Sequence, residues 1–107
     1  MSIFSHPSER EIAELFDSYG IKWKYEPTTF VLETNDQGDP TCAFTPDFYL
    51  CDFDTYVEVT TLRQSLITRK HRKIRMLEAQ HPEVSVRLLC RRDVERLGLK
   101  YGLSSAA

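Results

Sequence analysis

Between Asp47 and Thr60 the chain alternates in a way that few local structures satisfy. Phe48, Leu50, Val57 and Val59 interleave with Tyr49, Tyr56 and Glu58, and Asp52-Phe53 lies between the two runs. A period of two puts successive side chains on opposite faces of a strand, so the segment reads as a β-hairpin with strands over 47–51 and 56–60. With a two-residue loop at Asp52-Phe53, Cys51 faces Asp54 and the numbers of paired residues sum to 105. That register sets Asp47 opposite Glu58 and puts Tyr49 and Tyr56 on their face. Phe48, Leu50, Val57 and Val59 gather on the other face as an apolar surface for a core.

The rest of the chain supplies partners for this hairpin. Ser8-x-x-Glu11 fits a capping box, Ile12, Leu15, Phe16 and Tyr19 recur at helical spacing, and Gly20 suits a left-handed stop. Residues 21–25 and 30–34 read as strands separated by Pro27, and the Asn-Asp-Gln-Gly-Asp-Pro run at 35–40 as a turn. A helix is expected over 65–80, ending at His81-Pro82, then a strand over 84–90, a short helix over 93–101 and a frayed tail at 102–107. Helices interleaved with strands in this order predict an α/β fold, a mixed sheet flanked by helices. A length of 107 residues suits one domain, with its core over about 8–101.

Charge is divided along the sequence. Residues 1–59 carry three basic and twelve acidic side chains, whereas residues 60–107 carry eleven and four. No Lys or Arg occurs between Glu26 and Glu58, and no acid between Thr60 and Leu77, where Arg63, Arg69, Lys70, Arg72, Lys73 and Arg75 fall. An acidic pocket beside a basic surface is expected.

Across the hairpin, Asp47 and Glu58 would bring two carboxylates to about 5 Å at their Cβ atoms, an unfavourable pairing of like charges. Either both acids point to solvent at the strand ends, or a hard cation compensates them; magnesium takes one or two carboxylates and keeps water or phosphate oxygens elsewhere, and manganese suits the same set. Thr45-Pro46-Asp47-Phe48-Tyr49-Leu50 followed by Tyr56-Val57-Glu58-Val59-Thr60 resembles the motif of the PD-(D/E)xK nuclease superfamily. Ser8-Glu9 opening a helix, and the run from Gly20 to Pro27, look like the lead-in of small restriction-endonuclease-like and transposon-endonuclease-like members. The expected α-β-β-β-α-β order is also that superfamily's core, so the resemblance covers residues 8–97.

The sequence departs from the motif at Thr60, where a lysine is expected two residues after the glutamate. A threonine hydroxyl carries no permanent charge to stabilise an attacking water or the charge building on phosphorus. In the following helix, Arg63, Leu66, Ile67, Lys70, Ile74 and Leu77 fall within one sector of about 100°. Lys70 thus lies in the apolar stripe, and its ammonium must either snorkel out or reach buried carboxylates. Superfamily members with a lysine displaced onto this helix imply the second role, with Lys73 one turn on in reserve. Glu9 matches the superfamily's first-helix glutamate; otherwise it is a first-turn acid favoured by the helix dipole. Glu26 is expected to be structural or to support the site indirectly, and Gln64 and Ser65 to cap the second helix near it.

The resemblance implies a magnesium-dependent DNA endonuclease, a hydrolase in which Asp47 and Glu58 hold the metal, Glu9 assists in positioning metal or water, and Lys70 orients the attacking hydroxide. The products implied are 5′-phosphate and 3′-hydroxyl ends. Arg69, Arg72, Lys73 and Arg75 are expected to face DNA phosphates, with Arg87, Arg91 and Arg92 extending that surface. A small domain with this role suggests a homodimer, a partner subunit or recognition of DNA shape. The alternative is a catalytically silent module of the same fold that binds nucleic acid or regulates a partner. Similar short segments occur joined to phosphoribosyltransferases, but no acidic pair followed by a glycine-threonine phosphate loop occurs here. His6, His71 and His81 lack metal-ligand spacing; Cys42, Cys51 and Cys90 form no C-x-x-C pair and are expected to be small buried hydrophobes. Without a membrane-length apolar run or signal pattern, the expected location is cytoplasmic.

Overall fold

The computed structural model describes Phe4, residues 6–60 and residues 64–100, with backbone only for 64–66 and 97–100. The expectations for Arg63, for the side chains of Gln64, Ser65 and Leu66, and for the 102–107 tail lie outside the described residues.

Helix α1 (Pro7–Ser18) starts at a proline, whose fixed φ and missing N–H suit a first turn. Its N-cap is His6, without a side-chain cap bond, so the expected capping box does not form. The helix begins two residues too early for it, which places Ser8 inside the first turn. The C-terminus ends as expected: Gly20 adopts φ 72°, its N–H donates to Asp17 O at 3.1 Å, and the Ile21 N–H donates to Phe16 O at 2.8 Å. These paired bonds form a Schellman motif that turns the chain into the sheet.

Strands β1 (Trp23–Tyr25), β2 (Phe30–Thr34), β3 (Pro40–Phe44), β4 (Phe48–Leu50) and β5 (Thr55–Val59) follow, then helix α2 (Gln64–Gln80), strand β6 (Val86–Leu89) and helix α3 (Arg91–Lys100). The main sheet has the order β1-β4-β5-β6, and β2-β3 forms a separate two-stranded sheet. β1 and β5 run antiparallel to β4, whereas β6 runs parallel to β5 after the α2 crossover. The fold is therefore mixed α/β, and through its main sheet the chain runs α-β-β-β-α-β.

Register in the central hairpin is the one expected, with Phe48 opposite Val57, Tyr49 opposite Tyr56 and Leu50 opposite Thr55. The loop is longer than two residues. Cys51 to Asp54 all lie in the turn, and Asp54 takes φ 48° while accepting a 2.8 Å bond from the Tyr49 hydroxyl. Strand β3 is absent from the sequence expectations, because Pro40 and Ala43 are poor strand formers and Pro40–Phe44 shows no alternation of apolar and polar residues. It pairs with β2 through a turn organised by Asn35, whose side-chain oxygen accepts the Gln37 and Asp39 N–H groups at 3.0 and 2.9 Å. The expected strands over 21–25 and 84–90 are each shorter in the structure, and α3 begins at Arg91 with the Asp93 carboxylate accepting the Cys90 N–H at 2.9 Å.

Two apolar clusters flank the main sheet. Ile12, Ala13, Phe16, Phe48, Leu50, Val57, Val59 and Val94 join α1 and α3 to β4 and β5. Leu32, Phe44, Ile74, Leu77 and Val86 join α2 to β6 and the small sheet. Lys73 Nζ, donating to Ala43 O at 3.2 Å, and Gln80 Nε2, donating to Leu32 O at 2.9 Å, fasten α2 along that small sheet. The cysteines are not buried hydrophobes: Cys42 and Cys90 are partly exposed and Cys51 is exposed in its turn, all as free thiols. Among the described residues no helix is long and apolar enough to cross a membrane.

Candidate functional site

Pro46, fully buried, delivers the chain into β4 and sets Asp47 at the open end of the hairpin, next to the last backbone pair Phe48–Val57. Here side chains continue the ladder. The Val59 N–H donates to Asp47 Oδ2 at 2.8 Å, and the Asp47 N–H donates to Glu58 Oε1 at 3.2 Å. On the opposite side the Glu26 N–H donates to Asp47 O at 2.8 Å. Glu26 itself is exposed and left-handed, at φ 45°, so it acts through its backbone.

Among the described residues, the buried polar or charged residues are Glu9, Asp47, Glu58 and Thr60. All four are positions singled out by the sequence, and all converge on one end of β5. Lys70 extends from α2 to place Nζ 3.1 Å from Glu58 Oε2 and 2.6 Å from Val59 O. Its side chain remains 27% exposed. Glu9 reaches the region from α1, where the Tyr25 hydroxyl donates to its Oε1 at 2.5 Å. Lys73 goes elsewhere, to the Ala43 carbonyl.

Electrostatics follow from burial. The Asp47 carboxyl is pushed up to about 8, first by desolvation, then by the charge of Glu58 and less strongly by that of Glu9; the Val59 N–H and Lys70 pull the other way. Glu58 is raised too, since its desolvation outweighs the Lys70 ammonium beside it. With its carboxyl raised to about 8, Asp47 is the group of the pair that holds a proton near neutral pH.

Asp47 and Glu58 therefore share one ammonium. Fully ionised, they would leave an excess of one negative charge in a site largely closed to water. No buried side-chain polar atom among the described residues lacks a partner. Among those residues no three His, Cys, Asp or Glu side chains come close enough to hold a metal together. Direct ligation by side chains would thus fall to Asp47 and Glu58, with Glu9 one step removed.

Thr60 follows β5 directly, its N–H donating to Leu89 O at 2.9 Å. Beside it an open cleft of about 420 Å³ separates α1 from α3, lined by Ser8, Ile12, Cys90, Arg91, Arg92 and Glu95. On α2, Arg69, Arg72 and Arg75 are exposed, whereas Arg91 is engaged by Glu11 and Glu95 at 3.5 and 3.1 Å. His81 packs against Phe30 and lies 3.5 Å from Glu83.

Sequence reasoning missed Tyr25 and the Val59 carbonyl. A phenol two strands away has no motif signal, and a backbone oxygen has no sequence signal. No protein-family model, curated protein or solved structure matches this chain.

Proposed function

We propose that this chain is a metal-dependent DNA endonuclease of the PD-(D/E)xK type, with its lysine moved from strand to helix. One observation carries the reading: Lys70, from α2, meets the Glu58 carboxylate at 3.1 Å, where Glu58 also accepts the Asp47 N–H at 3.2 Å. The residue at the motif's lysine position is Thr60, yet an ammonium is present at the carboxylate pair.

The donor set suits a hard divalent cation. Asp47, Glu58 and the Val59 carbonyl offer only oxygen, and two carboxylates with water completing the shell is a usual arrangement for magnesium or manganese. The surplus of negative charge requires either protons or such an ion. When bound, the ion supplies Lewis-acid polarisation of the phosphate and an acidified water.

The chain's own groups supply the rest. Asp47 must give up the proton that burial holds on it before both carboxylates are available, so loading is favoured as pH rises. Lys70 stabilises negative charge on the attacking oxygen and at phosphorus. Glu9, held by Tyr25, orients water at the rim of the pair. Arg69, Arg72 and Arg75, exposed on the helix that carries Lys70, attract the phosphate backbone without reading sequence.

Incubation with supercoiled, branched and single-stranded DNA in magnesium or manganese tests the assignment. Cleavage by wild type and its loss by about 10³-fold in Glu58→Ala and Lys70→Ala is the expected result; cleavage that survives Glu58→Ala overturns it.

A second reading has its own support. Thr60 stands where the motif lysine belongs, and every buried polar atom described is already satisfied. Both features suit a silent module that binds nucleic acid, and DNA binding without cleavage under any of these conditions would select it.

A further inference from the structure

The lysine at this site is doing two things that compete. Its Nζ holds Glu58 Oε2 at 3.1 Å and Val59 O at 2.6 Å. Val59 in turn gives its N–H to Asp47 Oδ2, and Asp47 gives its N–H to Glu58 Oε1. The result is a closed ring of Asp47, Glu58, Lys70 and Val59 in which an ammonium already serves oxygens that a metal ion would need.

We infer that Lys70 is a resident counter-cation that closes the site, and that a divalent ion enters only as the ammonium withdraws. This inference rests on the metal-dependent reading above. An ammonium and a divalent ion held at contact distance on Glu58 Oε2 and Val59 O would repel each other strongly in this buried site, so the two compete.

The helix has no need to move for this exchange. Ile74 and Leu77 are buried in the core, and Lys73 and Gln80 tie α2 to the small sheet. The moving part is the four-carbon stem of Lys70, which is flexible and, at 27% exposure, has a way out to solvent. There a phosphate oxygen of bound DNA can become its new partner, beside Arg69 and Arg72. Metal and DNA then bind with positive coupling, since each favours the withdrawn lysine.

Calorimetric titration of manganese into wild type, Lys70→Met and Lys73→Met tests the inference. Methionine keeps the apolar stem and removes the charge. If the closed form dominates at rest, Lys70→Met binds manganese about tenfold more tightly than wild type while losing cleavage. Lys73→Met removes the same charge from the same helix, and its affinity stays at the wild-type value. Equal or weaker binding by Lys70→Met overturns the counter-cation role alone and leaves the metal site standing. Equal tightening in both variants also overturns it, by reducing the effect to net charge. No binding in any of the three proteins overturns both the metal site and this inference.

Should Lys70→Met fail to fold, reductive methylation of wild type gives the answer without a substitution. Lys70 is expected to react more slowly than the exposed Lys22 and Lys24, and several-fold faster once manganese is bound. A Lys70 rate unchanged by bound manganese contradicts the exchange.

Discussion

The two faces of the β4–β5 hairpin are built from neighbouring residues and serve opposite ends. On the α1 side, Phe48 and Val57 are completely buried, and Phe48 meets Phe16 and Trp23 edge to face at 5.5 and 5.4 Å. Burial there stabilises, because every atom removed from water is apolar. One residue further along each strand, Asp47 and Glu58 are buried almost as deeply, at 8% exposure each. Burial there is costly, and it is tolerated only through reciprocal backbone bonds, a retained proton and Lys70. The hairpin thus uses the stability of one face to hold a costly electrostatic arrangement on the other.

The largest test of this contrast is truncation on the apolar face. Phe48→Ala should destabilise the protein by about 3–5 kcal/mol, measured by denaturant unfolding. On the polar face the isosteric Glu58→Gln should cost only about 1 kcal/mol, since the amide oxygen still accepts the Asp47 N–H and the partly exposed Lys70 ammonium can turn to solvent. A loss in Glu58→Gln as large as that in Phe48→Ala would mean that the carboxyl is a structural keystone.

A smaller effect concerns pH. Asp47 keeps its proton to about 8 in the folded chain against 3.8 in the ordinary state. Between those values the unfolded chain binds fewer protons, so this group's contribution is fully present below about pH 4 and is lost as pH rises through about 8. Glu58 is shifted in the same direction. Thermal unfolding followed across that window should fall with a steeper slope in wild type than in Asp47→Asn, and the variant should be the more stable of the two above pH 8. Parallel slopes would show that Asp47 is not held protonated.

The smallest effect lies outside the pocket. Arg72→Ala should weaken DNA binding and reduce the slope of log affinity against log salt by about one, without altering unfolding. An unchanged slope would assign α2's exposed cations to solvent alone.

The same contrast explains what the sequence made legible. Alternation from Phe48 to Val59 determined both strands and their register, since slipping by one residue would expose Phe48 and Val57 and bury Tyr49 and Tyr56 instead. Lys70 was legible because a charge in an apolar stripe must find a partner. The turn at 51–54 was not, because a four-residue loop can preserve the register of a two-residue one. Nor was β3, which beyond the buried Phe44 owes its place to pairing with β2 and to the bond from Lys73. Thr60 drew notice only through the resemblance, and its burial beside Glu9, Asp47 and Glu58 is seen in the structure alone.

The central claim is that the paired carboxyls of Asp47 and Glu58 exist to grip a cation. It is tested most directly by thermal unfolding at pH 8 with and without manganese, in wild type and in the Asp47→Asn, Glu58→Gln double variant. At a hundred times its dissociation constant a bound ion should stabilise wild type by about 2.7 kcal/mol and leave the double variant unmoved. A wild-type midpoint indifferent to manganese, or an equal rise in both proteins, would contradict the account.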